Sequence, residues 1–406
     1  MRRRGELKSL FLRSKPRQCR AVHMRCSILS AKSPLGEPER AMSQSDATPL
    51  PNTEPATPPL SVRASPGFAA WMAQQGVGLA FTTYQSGKLF LLGGSADGRL
   101  SVFERTFEHC MGLCAHNDSL VMSSKWQIWR FDNVLTPDQN HNGYDRLYLP
   151  TQAYTTGNVD THDIGVDAQG RILFVNTLFN CLSAAAPGYS FVPLWRPPFV
   201  SGFAAEDRCH LNGMALRDGA PRYVTMVANS DHRDGWRDHR ADGGLLMDIT
   251  TNQILLDGLS MPHSPRVYDG HIWLLNSGRG ELQRIPLTGG AGESVAPLPG
   301  YGRGLTFVGR HAVVGLSKAR RDKAFSGLPL DDILAQRGTP PQCGLAVIDI
   351  DRGQMAHQLL IEGVVSELYD VIALPGARRP MAVGLLSDEI HHILRIGAEA
   401  PQNGPF

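Results

Sequence analysis

Long apolar runs are missing from this 406-residue chain. No stretch approaches the ~18 consecutive apolar residues that read as a membrane-spanning helix, so neither a membrane span nor a membrane partner is expected. Cysteine is sparse: seven residues, two of them (Cys19 and Cys26) near the start, with no CxxC pair. An odd, scattered count fits reduced thiols in a cytoplasmic protein rather than a disulfide framework. The nucleophile elbow GxSxG does not occur, and no strand–glycine–helix context suits a dinucleotide, so no nucleotide cofactor is expected. VDAQGR, the nearest approach to a calcium loop, lacks the carboxylate spacing.

Positive charge is also missing where a nucleic-acid binder would need it. Residues 1–42 hold eleven Lys/Arg against three Asp/Glu, whereas the remainder holds 29 against 35, a net of −6. A mildly acidic body is not expected to bind nucleic acid. The basic opening lacks a secretory apolar core; it reads as an organelle presequence or as an extended start ahead of Met24 or Met42. Ser43–Pro66 is rich in Pro, Ser and Thr and cannot bury a core. The expected layout is a disordered leader over 1–66, a folded domain over 67–398 and a tail over 399–406.

What the chain does have is a repeat. GLAFTTYQSGKLFLLGG, GLCAHNDSLVMSSKW, IGVDAQGRILFVNT, GMALRDGAPRYVTMVANS, PRVYDGHIWLLNSG, GLTFVGRHAVVGLSK and YDVIALPGARRPMAVGLLS each join two apolar strands through a tight turn. Further strand-like runs, such as GLLMDITTNQILLDGL, follow most copies. Helical periodicity is confined to Gly67–Gln75 and GLPLDDILAQRG. Four-stranded antiparallel units at this recurrence predict an all-β fold, a β-propeller. Seven copies suggest seven blades, or six if the incomplete first and last copies share strands to close the ring.

HDIGVDAQGRILFVNT, PHSPRVYDGHIWLLNSGRGEL, RGLTFVGRHAVVGLSK and ELYDVIALPGARRP resemble a mainly bacterial conserved-hypothetical family, a domain of unknown function, over roughly residues 67–396. The resemblance implies a propeller-like fold and brings no activity, cofactor or catalytic residue with it.

Alignment of the copies places His109, His162, His210 and His263 at one equivalent position, followed by Tyr301 and Glu367. Inner strands line a propeller's axis, so these six side chains are expected around one mouth of the channel. Neutral imidazole is a common ligand of transition metals, so three or four of these histidines would hold a single ion on the axis, Fe or Zn foremost, and the chain is expected to be a metal-dependent enzyme. Glu367 would act as a base or orient an imidazole, and Tyr301 as an acid or hydrogen-bond donor. Asn176, Asn229 and Asn276 end second strands with Ser123, Ser317 and Ser387. Together with Lys125, Arg303 and Lys318 they would hold a small, anionic organic ligand. Two long loops, 230–244 and 318–342, would cover the site, and Trp236 would offer a platform. The blander alternatives are imidazoles that cap turns, Asn and Ser that satisfy strand ends, a metal-free His/Tyr/Glu lyase, and a non-catalytic binding module.

Overall fold

The computed structural model describes residues 59–95, 97–319 and 327–397. Most of the expected leader, the tail and residues 320–326 of the second long loop lie outside the described residues. Six antiparallel sheets form a six-bladed propeller. From the axis outward, blade 1 runs Val371–Pro375, Val77–Thr83, Lys88–Gly94 and Leu100–Thr106. Blade 2 is Leu113–His116, Ser119–Ser123, Gln127–Asn133 and Arg146–Thr155; blade 3 is Thr161–Val166, Ile172–Asn176, Cys181–Ala184 and Val192–Trp195. Blade 4 is Leu211–Arg217, Ala220–Met226, Gly244–Asp248 and Gln253–Leu259; blade 5 is Pro262–Tyr268, His271–Asn276, Glu281–Pro286 and Glu293–Pro297. Blade 6 is Tyr301–Val308, His311–Ser317, Gly344–Asp349 and Gln354–Glu362.

The burial of the second strands explains their unbroken apolar runs. Alternate residues of a strand point to opposite faces, and here each face meets a different neighbour. In blade 3, Leu173 and Val175 pack toward blade 4, while Ile172 and Phe174 pack toward blade 2. In blade 1 the third strand from the axis is covered in the same way: Leu89 and Leu91 face blade 2, and Phe90 and Leu92 face blade 6. The blade 4–5 and 5–6 interfaces are filled in the same way by Leu274 on one side and Leu275 on the other. Outer strands are instead largely open to solvent, as in Gln253–Leu259, where only Leu259 is buried. The hairpin turns Asp218–Gly219 and Asp269–Gly270 have positive φ at both residues, the geometry that a two-residue turn between twisted strands requires.

The ring closes by strand sharing, which settles the blade count at six. The last repeat copy is split: Val371–Pro375 joins the N-terminal strands in blade 1, and Pro380–Ala382 lies parallel to the outer edge of blade 2. Ser387 therefore ends no second strand; it precedes a short 3₁₀ helix, Asp388–His391. Folded structure also starts earlier than expected. Ser61–Ala64 pairs antiparallel with Gln354–Glu362 at the edge of blade 6, because edge pairing uses backbone groups and needs no apolar sequence. Among the described residues no helix is long and apolar enough to cross a membrane.

One side chain ties the ring together on its axis. Arg266 of blade 5 donates to Asp163 Oδ2 of blade 3 at 2.9 Å, to the Met214 carbonyl of blade 4 at 3.3 Å and to the Leu305 carbonyl of blade 6 at 3.1 Å. It also donates to Asp370 Oδ1 at 3.4 Å, just before blade 1. Asp370 Oδ2 accepts the Leu113 amide of blade 2, and Asp163 Oδ2 accepts the Met214 amide. All six blades thus meet at one guanidinium and two buried carboxylates. Burial, reinforced by the charge of Asp163 and opposed by Arg266, raises the Asp370 carboxyl well above the ordinary aspartate range. On one side of this plug the channel widens into a chamber of about 430 Å³ of mixed polar and apolar lining. The other side carries the imidazoles.

Candidate active site

His162, His210 and His263 are buried at the axial ends of blades 3, 4 and 5. Local backbone turns set their orientation. Asp160 and Met261, each two residues before an imidazole, adopt left-handed φ of 57° and 46°. Their carbonyls lie 3.0 Å and 2.8 Å from His162 Nδ1 and His263 Nδ1. A carbonyl only accepts, so both rings carry their hydrogen on Nδ1 and their lone pair on Nε2. His210 differs: it is itself left-handed (φ 50°), and its Nδ1 lies 2.9 Å from Asp207 Oδ2. The same carboxylate oxygen accepts the Trp236 indole N–H at 2.8 Å, while the indole stacks on His210 with centroids 4.1 Å apart. Burial works against the Asp207 charge, but His210 and these hydrogen bonds bring its carboxyl below the usual value.

The rings form a connected group. His162 meets His210 edge to face at 4.7 Å and Tyr369 at 5.5 Å. Arg303 lies over Tyr369 at 4.7 Å and donates to Glu367 Oε1 at 3.0 Å, both side chains being buried. Burial lowers the His162 imidazole to about 4, with His210 and Arg303 reinforcing and Asp160 opposing. Burial and the charge of Arg303 hold His263 well below the ordinary histidine value. Both rings are neutral at pH 7.

A pH dependence follows. The unfolded imidazole titrates near 6.5, so the stability carried by neutral His162 is fully present above that pH. It is lost as pH falls toward about 4, an effect of about 3 kcal/mol. Asp370, raised rather than lowered, contributes with the opposite sign. Urea midpoints of wild type and His162→Gln between pH 7 and 4.5 isolate the histidine component. The variant is expected to lose less stability on acidification; parallel curves would refute the assignment.

The remaining expected residues are placed as follows. His109 begins blade 2, half-buried, against Tyr84 at 4.9 Å; Tyr84 in turn meets Tyr369 at 5.8 Å, so two tyrosines separate His109 from His162. Tyr301 donates to Asp331 Oδ1 at 2.6 Å and packs with Trp236 and Met261 beneath the helix Pro329–Gln336. It thereby fastens the second long loop instead of joining the imidazoles. Lys125 pairs with Glu108 at 2.7 Å and covers Trp126. Lys318 is half-buried, its amide on the Ser366 carbonyl. Asn229 is exposed: Met226, not Asn229, occupies the strand-end register. Asn176 Oδ1 accepts the Phe179 amide and Asn276 Oδ1 the Ser260 amide, the duties of strand-end residues.

The collar hydroxyls stitch neighbouring blades. Thr82, Ser123, Thr177, Ser277 and Ser317 donate respectively to the carbonyls of Met111, Thr161, Leu211, Gly302 and Leu368, each on the next blade. In blade 4 Met226 ends the strand and Val227 follows it, so no hydroxyl stands at that place. The residues that sequence reading missed are Asp207, Tyr84 and Tyr369. Tyr369 had a signal: it lies two residues after Glu367, as Arg303 does after Tyr301. Asp207, in an irregular loop, had none.

Among the described residues no group of three or more His, Cys, Asp or Glu is arranged to hold a metal ion.

Comparisons with solved structures find a chain of the nidogen/laminin complex at 12% identity and TM-score 0.46, over 74% of this chain and 99% of that one. A streptogramin B lyase matches at 12% identity and TM-score 0.37, over 68% and 73% respectively. A catalytically inactive virginiamycin B lyase from Staphylococcus aureus, with quinupristin, matches at 10% identity and TM-score 0.38, over 74% and 99%. No curated protein matches. The domain of unknown function DUF4915 matches residues 66–383, and the chain belongs to that family.

Proposed function

We propose that this protein is a small-molecule enzyme that binds an anionic substrate beside Arg303 and moves a proton with His162 or His210, as a lyase or isomerase does. The observation that supports this reading is the set of committed tautomers around a buried guanidinium. His162 and His263 donate from Nδ1 to carbonyls, and Asp207 orients His210. Neutral Nε2 atoms beside a fixed cation suit abstraction of a proton next to a substrate carboxylate. Arg303 would hold that carboxylate and stabilise the charge that develops on it, with Glu367 orienting the guanidinium. Tyr369 would set the wall of the site. The five free cysteines among the described residues favour a reducing, cytoplasmic compartment.

A second reading keeps an axial Fe or Zn ion on the same imidazoles, since Nδ1–H bonded to an oxygen is also the tautomer of a metal ligand. The charge of Arg303, which acts on both His162 and His263, opposes a further cation and makes this the weaker reading. Calorimetric titration of the full chain with small mono- and dicarboxylates, alongside elemental analysis, distinguishes the two. Saturable carboxylate binding without metal, abolished in Arg303→Gln/Glu367→Gln, supports the acid–base enzyme; the paired substitution leaves no buried charge alone. About one metal ion per chain, lost in His162→Ala/His210→Ala, would favour the metal centre. Neither result would leave a binding module.

A further inference from the structure

A second cleft, of about 860 Å³, opens beneath blade 1. The inner strand of that blade starts beside Asp370 and ends at Pro375, so the turn after it lies at the end of the axis away from the imidazoles. Arg378 and Arg379 of this turn line the cleft with Arg99, over a floor that includes Ala73, Leu100 and Ser101.

The turn is clamped from two sides. Asp145 accepts the amides of Arg378 and Arg379 at 2.9 Å and 2.7 Å. Against its other side Gly93 approaches so closely that a Cβ there would come within 1.9 Å of the Arg378 carbonyl. With the main chain held, both side chains are free to face solvent, and both are exposed. Arg379 rests on the Tyr144 ring at 4.4 Å, and Arg99 pairs with Asp97 at 2.8 Å. Among the described residues no carboxylate pairs with Arg378 or Arg379. Three guanidinium groups therefore share a cleft, with Asp97 paired to Arg99 and Asp145 on the main chain of the turn, on a chain whose residues beyond 42 carry a net negative charge.

Guanidinium donors match phosphate oxygens in pairs, and a cleft of this volume accepts a metabolite-sized ligand. We propose that it binds a small phosphorylated organic molecule, its phosphate held by Arg378, Arg379 and Arg99 and its less polar body lying on Ala73 and Leu100. This site is independent of the imidazole group on the opposite face.

The test is calorimetric titration of the full chain with inorganic pyrophosphate. Wild type is expected to show saturable binding, weakened at least tenfold in Arg378→Gln/Arg379→Gln and in Arg99→Gln/Arg378→Gln. The second variant spares the contact with Tyr144, and melting curves of both should match wild type without ligand. Arg303→Gln/Glu367→Gln is expected to keep pyrophosphate binding, which separates this site from the carboxylate site. Absence of saturable binding, or undiminished affinity in both arginine variants, would overturn the proposal; the latter would assign the anion to another basic segment.

Discussion

Arg266→Met is expected to lower the unfolding free energy by about 3–5 kcal/mol. The reason is the charge left behind more than the hydrogen bonds removed. Asp163 and Asp370 are buried beside one another, and Arg266 is the cation both carboxylates share. Without it, the two acids lose their shared cation in a poorly solvated channel, where burial already drives Asp370 toward its protonated form, and the Leu305 and Met214 carbonyls lose a donor. The expected observation is a large drop in urea midpoint at neutral pH. Part of the loss should return in Arg266→Met/Asp163→Asn/Asp370→Asn, because replacing all charged members removes the unpaired ones. The backbone amides of Leu113 and Met214 still find acceptors on the asparagine side chains. If the single variant is as stable as wild type, the axial network does not hold the blades. If the triple variant is no better than the single, the loss comes from packing.

The second large effect concerns the Asp207–His210 pair. On a carboxylate that wild type turns over, His210→Ala is expected to reduce kcat by about 10²–10⁴-fold, the usual worth of a positioned general base. Asp207 acts through His210, as a positioning residue. Asp207→Asn keeps size and buried shape but replaces the acceptor that holds hydrogen on Nδ1. Its expected signature is a fall in kcat with little change in KM, together with a changed ¹⁵N tautomer pattern for one histidine. A merely structural role would alter melting temperature and leave the tautomer as it was. Trp236→Phe removes the competing indole donor to the same oxygen and should affect rate less than Asp207→Asn does. Equal rates in wild type and His210→Ala would refute proton transfer at this imidazole.

Much of the architecture could be read along the chain because the propeller is built from local hairpins. Asp-Gly pairs at 218–219 and 269–270 carry the turn conformation in their own chemistry, and the apolar runs such as Ile172–Asn176 reveal strands covered on both faces. The equivalence of His162, His210 and His263 was legible for the same reason: a repeat brings equal positions to equal heights on the axis. Closure was not. Whether Val371–Pro375 begins a seventh blade or completes the first depends on a pairing with Val77–Thr83 across nearly the whole chain, and no local pattern encodes that partner.

Roles within the site were likewise decided by tertiary neighbours. Tyr301 and Glu367 occupy the repeat position of the imidazoles, yet one fastens a loop helix through Asp331 and the other neutralises Arg303. Lys125 looks like a ligand-binding cation until Glu108 is found beside it. The sequence sets which residues share a ring, since strand period and repeat spacing are local. Tertiary packing sets which of them meet, which are desolvated, and therefore which imidazoles are neutral, because burial and charge pairing depend on residues far away in the chain.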